Sequence, residues 1–196
     1  MDRKAVIDIG TNSIKLYVAE RTSDGSLATI VDKNNIARLG EGMGDTGILQ
    51  PEAIARNAQV VAEFAGLARD NGAQEIVAVG TMALRTAKNA FDFVSSVKKL
   101  SGVDVRVIPG EEEAGLAYLA VLSGIGASAG RLAVCDVGGG STEFIFGGDA
   151  GINRRFSINL GAVKVSDEHL ASDPPSSEQV ETAMSFVRDA LRANGV

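Results

Sequence analysis

The chain has one cysteine, one histidine and no tryptophan, and its cations fall short of its anions. A single cysteine excludes an intrachain disulfide and a cysteine metal cluster. Cys135 closes the apolar run Leu132-Ala133-Val134 and reads as a buried small hydrophobe rather than a nucleophile. His169 follows Asp167 and Glu168 and has no second histidine with which to share a metal, so it reads as a solvated side chain. With 19 Lys and Arg against 25 Asp and Glu, the net charge is −6. That balance argues against non-specific binding to a nucleic-acid polymer. A polyanionic substrate would have to be met by local cations or by a metal. Long apolar runs are missing too. The longest charge-free stretch, Ala114–Gly130, is shorter than the ~20 residues of a spanning helix. Gly115, Gly124, Gly126 and Gly130 interrupt it, and it reads as a buried helix with its exit loop. The apolar stretch between Lys4 and Asp8 is too short for a signal-peptide core. A soluble cytoplasmic protein with no membrane partner is expected.

What is present is ordinary globular composition, 45% hydrophobic and 22% charged over 196 residues, enough for one large domain or two small lobes. The most informative run is Leu132–Phe146, LAVCDVGGGSTEFIF. It reads as a buried strand, a glycine turn and a second strand. Gly138, Gly139 and Gly140 let backbone N–H groups approach an anion without interference from a Cβ. Ser141 and Thr142 add hydroxyls. Asp136 and Glu143 bracket the turn and suit a hard cation held against phosphate oxygens. The run is neither a dinucleotide fingerprint nor a Walker loop, because the glycines lead into a strand and no Gly-Lys-Ser/Thr follows. The same residues also suit a tight hairpin with a polar turn.

The rest of the chain reads as alternating strands and helices. Ala5–Ile9 and Ile14–Glu20 are strands around the polar turn Gly10–Ser13. Ser23–Ser26 is a hairpin turn, Leu27–Leu39 a third strand, and Gly40–Gly47 a loop. Pro51 and Glu52 open a long helix that Asn71-Gly72 ends. Glu75–Gly80 is a buried strand, and Thr81 caps a short helix carrying Arg85. Asn89–Ser101 is a helix with Phe91, Val94, Val97 and Leu100 on one side. Val103–Ile108 is a strand, and Glu111-Glu112-Glu113 opens a helix to about Ser123. After the glycine run come a hairpin at Gly147–Gly151, a strand at Asn153–Asn159, a helix over Gly161–Leu170 and a last helix over Ser177–Ala193. The last helix has a partly matched capping box of Ser177 with Val180.

An internal repeat is visible. Ala5–Ala19, AVIDIGTNSIKLYVA, parallels Ala133–Gly147, AVCDVGGGSTEFIFG. A period of that size means duplicated lobes, and two Asp-x-Gly hairpins facing each other would line a cleft. Residues 1–125 are expected to form an N-terminal lobe, and residues 126–196 the start of a second. The second lobe lacks a later strand–helix–strand portion, so either the chain is shortened or another chain covers the sheet. An uncovered sheet edge invites pairing, and a homo-oligomer is expected.

Four stretches taken together, Asp8–Val18, Gly80–Asn89, Pro109–Ala114 and Asp136–Phe144, resemble the exopolyphosphatase / guanosine pentaphosphate phosphatase family. That family belongs to the actin-like, sugar-kinase and Hsp70-like ATPase superfamily. The resemblance implies an α/β fold of ribonuclease H-like lobes, each a mixed sheet with flanking helices, with the second lobe incomplete. It also implies hydrolysis of a terminal phosphoanhydride in inorganic polyphosphate or in pppGpp, a nucleotide of the stringent response. Glu113 matches the glutamate that deprotonates the attacking water. Asp136 and Glu143 match the residues that hold Mg²⁺ or Mn²⁺. Gly138, Gly139, Gly140 and Ser141 match one phosphate loop, and Asn12, Ser13 and Arg85 match phosphate contacts of the first lobe.

Plainer readings stand beside these. The three glutamates suit an acidic helix start, and Glu111 and Glu112 keep that reading. Lys98-Lys99 reads as a solvated helix face, while Arg154-Arg155 either contacts a phosphate chain or merely flanks a strand. The alternative function is a module that binds a phosphate chain or nucleotide without turnover. A kinase-like ATPase of the same superfamily fits Glu113 less well and lacks the adenosine-binding segment.

Overall fold

The computed structural model describes residues 2–125, 130–148 and 150–196. Residues 126–129 of the expected exit loop and Asp149 of the expected Gly147–Gly151 turn lie outside the described residues. The chain divides into two compact units, Met1–Ile108 and Pro109–Val196. The helix that begins at Gly110 therefore groups with the second unit, whereas a division after residue 125 puts it with the first.

Alternation builds the first sheet. In Arg3–Ile9 (β1), Ala5, Ile7 and Ile9 are fully buried and Lys4 and Val6 are exposed, the period of a strand with one packed face. Ile14–Arg21 (β2) repeats it with Ile14, Leu16 and Val18. β2 pairs antiparallel with β1 on one side and with Leu27–Asn35 (β3) on the other. Glu75–Gly80 (β4) pairs parallel with β1, and Val105–Val107 (β5) parallel with β4, giving the order β3-β2-β1-β4-β5. The expected third strand is four residues too long. After Asn35 the chain turns back, Ala37 N–H donating to the Asn35 carbonyl at 3.1 Å, and Arg38 takes a left-handed φ of 50°.

Pro51–Asp70 (α1) starts on its proline and ends at Asn71, with Gly72 left-handed beyond it. Its Ala58, Val61, Ala65 and Ala68 pack on the buried face of the sheet, beside Phe93 and Val97 of Ala90–Ser101 (α3). The expected α3 face is displaced. Phe91 is 79% exposed and Leu100 is exposed as well. Phe93 and Val97 are four apart and share a side, and Phe91 points away from it. Between β4 and α3 lies the five-residue helix Met82–Thr86 (α2); Thr81 occupies its N-cap but makes no side-chain capping bond. β4 is open at its start and covered at its end: Val77 is exposed, whereas the successive residues Ala78 and Val79, on opposite faces, are both buried.

The second unit opens with Gly110–Ile125 (α4), followed by Leu132–Val137 (β6), Thr142–Gly148 (β7) and Gly151–Ile158 (β8), an antiparallel meander in the order β6-β7-β8. Ala114 and Tyr118 of α4 pack on Ile145, Leu132, Val134 and Ile152, which share one face of the meander. α4 is not the buried helix expected: Leu116, Leu119 and Ile125 are exposed. Nor is β6 a buried strand. Its burial is at best partial, and Cys135 is exposed, on the face that α4 does not cover.

Ala162–His169 (α5) and Ser177–Ala193 (α6) complete the unit. The capping box sits one residue earlier than expected. Ser176 Oγ accepts from Gln179 N–H at 3.2 Å and Gln179 Oε1 accepts from Ser176 N–H at 2.9 Å. His169 is not a solvated side chain. Its ring lies 4.5 Å from that of Phe186, so it packs α5 on α6.

Candidate active site

The repeat is carried through to the hydrogen bonds. Asp8 stands opposite Lys15, and Asp136 opposite Glu143. Gly10 N–H donates to the Ser13 carbonyl at 3.0 Å, and Gly138 N–H to the Ser141 carbonyl at 2.9 Å. Each turn therefore closes a strand pair in the same way, one on β1–β2 and one on β6–β7.

In the first unit, the Gly10–Ser13 turn leaves the carboxyl end of β1, and Thr81 leaves the neighbouring end of β4. The carboxyl ends of parallel strands are where sheets of this kind take ligands. Thr81 N–H donates to the Ile9 carbonyl at 3.2 Å. Thr11 Oγ1 reaches Met82 Sδ at 3.9 Å, so α2 and the turn holding Asn12 and Ser13 are neighbours. Gly80 leaves room for the Leu84 side chain of α2 against the end of β4, since a Cβ there would lie 2.4 Å from Leu84 Cδ1. Arg85, on α2, is half-buried and not a free surface cation. Its Nη1 donates to the Ile108 carbonyl at 3.0 Å, at the end of the first unit.

The second unit holds Glu113, Asp136, Gly138, Gly139, Gly140, Ser141 and Glu143. Asp136 and Glu143 are direct cross-strand partners, and Ser157 is the partner of Glu143 on β8. Strand alternation puts all three on the face that α4 covers, the helix that carries Glu113 in its first turn. Asp136 is exposed. Glu143 is 1% exposed, and its Oε1 accepts the Ser157 hydroxyl at 2.6 Å. The buried carboxylate is thus anchored and the exposed one is accessible. Ser141 is buried, and its carbonyl is engaged by the turn itself. The Cys135 thiol is raised above its ordinary value by partial burial, then by Asp136 and Glu143, which keeps it protonated.

Other features had faint signals in the sequence or none. The dipeptide Leu-Gly recurs after the third strand of each unit, as Leu39-Gly40 and Leu160-Gly161, and each glycine presses on its turn. Arg155, opposite Ile145, lies on the α4 face; a Cβ on Gly115 would be 2.5 Å from its Nη1. Arg155, Gly115, Glu111 and Glu112 help line a cavity of about 510 Å³. Arg154 points to the other face, 4.6 Å over the Phe156 ring. The two arginines thus part company, as alternation requires. Among the described residues, no three His, Cys, Asp or Glu side chains form a metal cluster, and no helix is long and apolar enough to cross a membrane.

Comparison with known proteins gives a consistent picture. The model of the Ppx/GppA phosphatase family matches residues 3–195. Exopolyphosphatase 2 of Mycobacterium tuberculosis is 34% identical over 97% of this chain. The chain spans 62% of that relative's length. Among solved structures, the Aquifex aeolicus member of the Ppx/GppA family is 36% identical with a TM-score of 0.77, over 97% of this chain and 61% of that one. An exopolyphosphatase from Cytophaga hutchinsonii is 27% identical with a TM-score of 0.90, over 97% and 61%. The sheets and helices described above are those of an actin-like lobe pair whose second lobe is partial relative to these structures.

Proposed function

Since the chain belongs to the Ppx/GppA phosphatase family, we propose that it serves the hydrolysis of a terminal phosphoanhydride in inorganic polyphosphate or pppGpp. One observation carries this reading: an exposed Asp136 stands opposite an anchored Glu143 at the mouth of a glycine turn, under the helix that bears Glu113. Phosphoryl transfer needs positioning and charge neutralisation more than covalent chemistry. In the second unit the N–H groups of the Gly138–Ser141 turn hold phosphate oxygens; within the first unit, Asn12, Ser13 and Arg85 are the residues assigned to phosphate contact. Glu113 takes a proton from water as the water oxygen bonds to the terminal phosphorus. The bridging P–O bond breaks, and the chain leaves one phosphate shorter.

Asp136 and Glu143 fit a divalent cation such as Mg²⁺ or Mn²⁺. Mg²⁺ is typically held by one or two carboxylates, with water and substrate oxygens completing its shell, rather than by a closed protein cage. Asp136 would be the accessible ligand, and Glu143, fixed by Ser157, the second. Bound there, the cation would neutralise charge on the transferred phosphoryl group.

The test is phosphate release from tripolyphosphate and pppGpp with Mg²⁺. Glu113→Gln is expected to lower release by roughly 10²-fold or more, the range of a lost general base, with Glu111→Gln close to wild type. Equal release by Glu113→Gln and wild type would remove the assigned base. A second reading, binding without turnover, is favoured by the narrower sheet of the second unit, three strands among the described residues against five in the first. Calorimetric binding of tripolyphosphate with no phosphate released would select it.

A further inference from the structure

The phosphate turn of the second unit is gripped from behind by a helix. The geometry assigns Gly161 and the first turn of α5 as the device that aims the Gly139 and Gly140 N–H groups at the bound phosphate. This rests on the phosphate-chain reading above.

Three observations carry it. First, Gly161 is there for space and not for conformation. Its φ of −138° and ψ of 161° are extended values open to any residue. A Cβ would lie 2.4 Å from Gly139 C, Gly139 O and Gly140 N, all of them backbone atoms. Second, α5 has no side-chain cap. The N–H groups that a helix start leaves without partners go to the turn. Ala162 N–H donates to the Gly138 carbonyl at 2.9 Å, and Val163 and Lys164 N–H to the Gly139 carbonyl at 2.9 and 3.2 Å. Third, a trans peptide points its C=O and N–H in opposite directions. With the Gly138 and Gly139 carbonyls turned onto α5, the Gly139 and Gly140 N–H groups face away from it. Among the described residues none accepts from either.

The helix therefore acts through the turn. Its N-terminal partial positive charge pulls on the two carbonyls, and a polarised peptide is a stronger donor at its other end. The Thr142 hydroxyl, bonded to the Leu160 carbonyl, fixes the corner from which Gly161 approaches. The first unit has the grip without the helix. Arg38 and Gly40 N–H donate to the Asn12 and Thr11 carbonyls at 2.8 and 2.9 Å, which turns the Asn12 and Ser13 N–H groups outward. Gly161 and Ala162 are positioning residues; neither touches phosphate.

The experiment titrates glycine-labelled protein with tripolyphosphate and Mg²⁺, following the Gly139 and Gly140 amides by NMR and the affinity by calorimetry. In wild type both amide protons move downfield on binding. Gly161→Ala is expected to abolish those shifts and weaken binding by at least about tenfold, the scale of a lost hydrogen bond to a charged group. Ala162→Pro is the control for folding. Proline suits the first helical position, and Gly161 already has the extended backbone that a following proline requires. This variant removes the N–H that holds the Gly138 carbonyl. Binding should fall by a similar factor while the thermal midpoint stays within about 3 °C. If Gly161→Ala does not fold, Ala162→Pro decides. Wild-type shifts and affinity in the folded variants would overturn the assignment while leaving the phosphate-chain reading intact. A wild type that takes up no tripolyphosphate would overturn that reading, and this assignment with it.

Discussion

The two units carry the same turn on unequal frames. In the first, β1 has neighbours on both sides, and the core runs through α1, α3 and the buried faces of β1 and β2. In the second, among the described residues, β6 pairs only with β7, and the buried cluster is Ala114, Tyr118 and Ile145. Phe144 and Phe156 stack at 5.4 Å on the other face, beside an apolar groove of about 400 Å³ that Cys135 and Val137 help to line. Yet the Gly10–Ser13 and Gly138–Ser141 bonds agree to within 0.1 Å. Turn geometry in this fold is a local property of the strand pair and its Leu-Gly corner. The breadth of the sheet decides how firmly the pair is held.

The largest expected effect separates the two frames. Phe93→Ala, in the closed core, should cost about 3–5 kcal/mol of unfolding free energy, whereas Val137→Ala, at a position 63% exposed, should stay within about 0.5 kcal/mol. Chemical denaturation of the two variants checks this, and a comparable loss at Val137 would break the contrast. The next effect is smaller and tests the corners. A Cβ on Gly40 meets the Thr11 Cγ2 methyl at 2.5 Å, and that methyl can be removed. Gly40→Ala should cost about 1–3 kcal/mol as an overpacked site, and Thr11→Ser in the same chain should restore most of it. No side-chain change offers the same relief at Gly161, where the obstacle is backbone.

The smallest effect concerns the hairpin turns. The β2–β3 turn is held by Asp24, whose carboxyl is lowered to about 2 by the Thr22 hydroxyl and then by the Ser26 N–H and hydroxyl. At the start of β8, by contrast, Gly151 takes a left-handed φ of 100°. A depressed carboxyl stabilises the fold above its unfolded value and loses that contribution as protonation sets in. The Asp24 contribution should therefore be complete above about pH 4 and fade toward pH 2. Carboxyl NMR should place its midpoint near 2, and Thr22→Val should move it back up.

Much of the frame was legible because strands and helices obey local periods. Pro51, Asn71-Gly72 and the Glu75–Gly80 run mark their elements within a residue. What failed depended on partners far along the chain. Phe91 and Phe93 both suit a helix face, and only the position of α1 chooses Phe93. Cys135 reads as buried because its neighbours are apolar, but burial needs a covering layer, and that face of β6 has none at this residue. The capping box slipped by one because Ser176 and Ser177 are equivalent until Gln179 reaches back. For the candidate site, the types Asp136, Glu143 and Glu113 were readable from motif and resemblance. The Ser157 anchor and the Gly161 approach were not, since both arise from registers and close contacts that no spacing encodes.

With no tryptophan and two tyrosines, the chain carries one tyrosine in each unit, in opposite environments. Tyr118 is 2% exposed beneath Gly147, with its hydroxyl on the Gly148 carbonyl at 3.3 Å. Tyr17 lies on the open face of the first sheet, with its hydroxyl 2.6 Å from Thr29 Oγ1. Acrylamide reaches an exposed ring and not a buried one, so quenching of tyrosine fluorescence reads Tyr17 of the broader unit, and the unquenched remainder is a label-free gauge of Tyr118 and the narrower one.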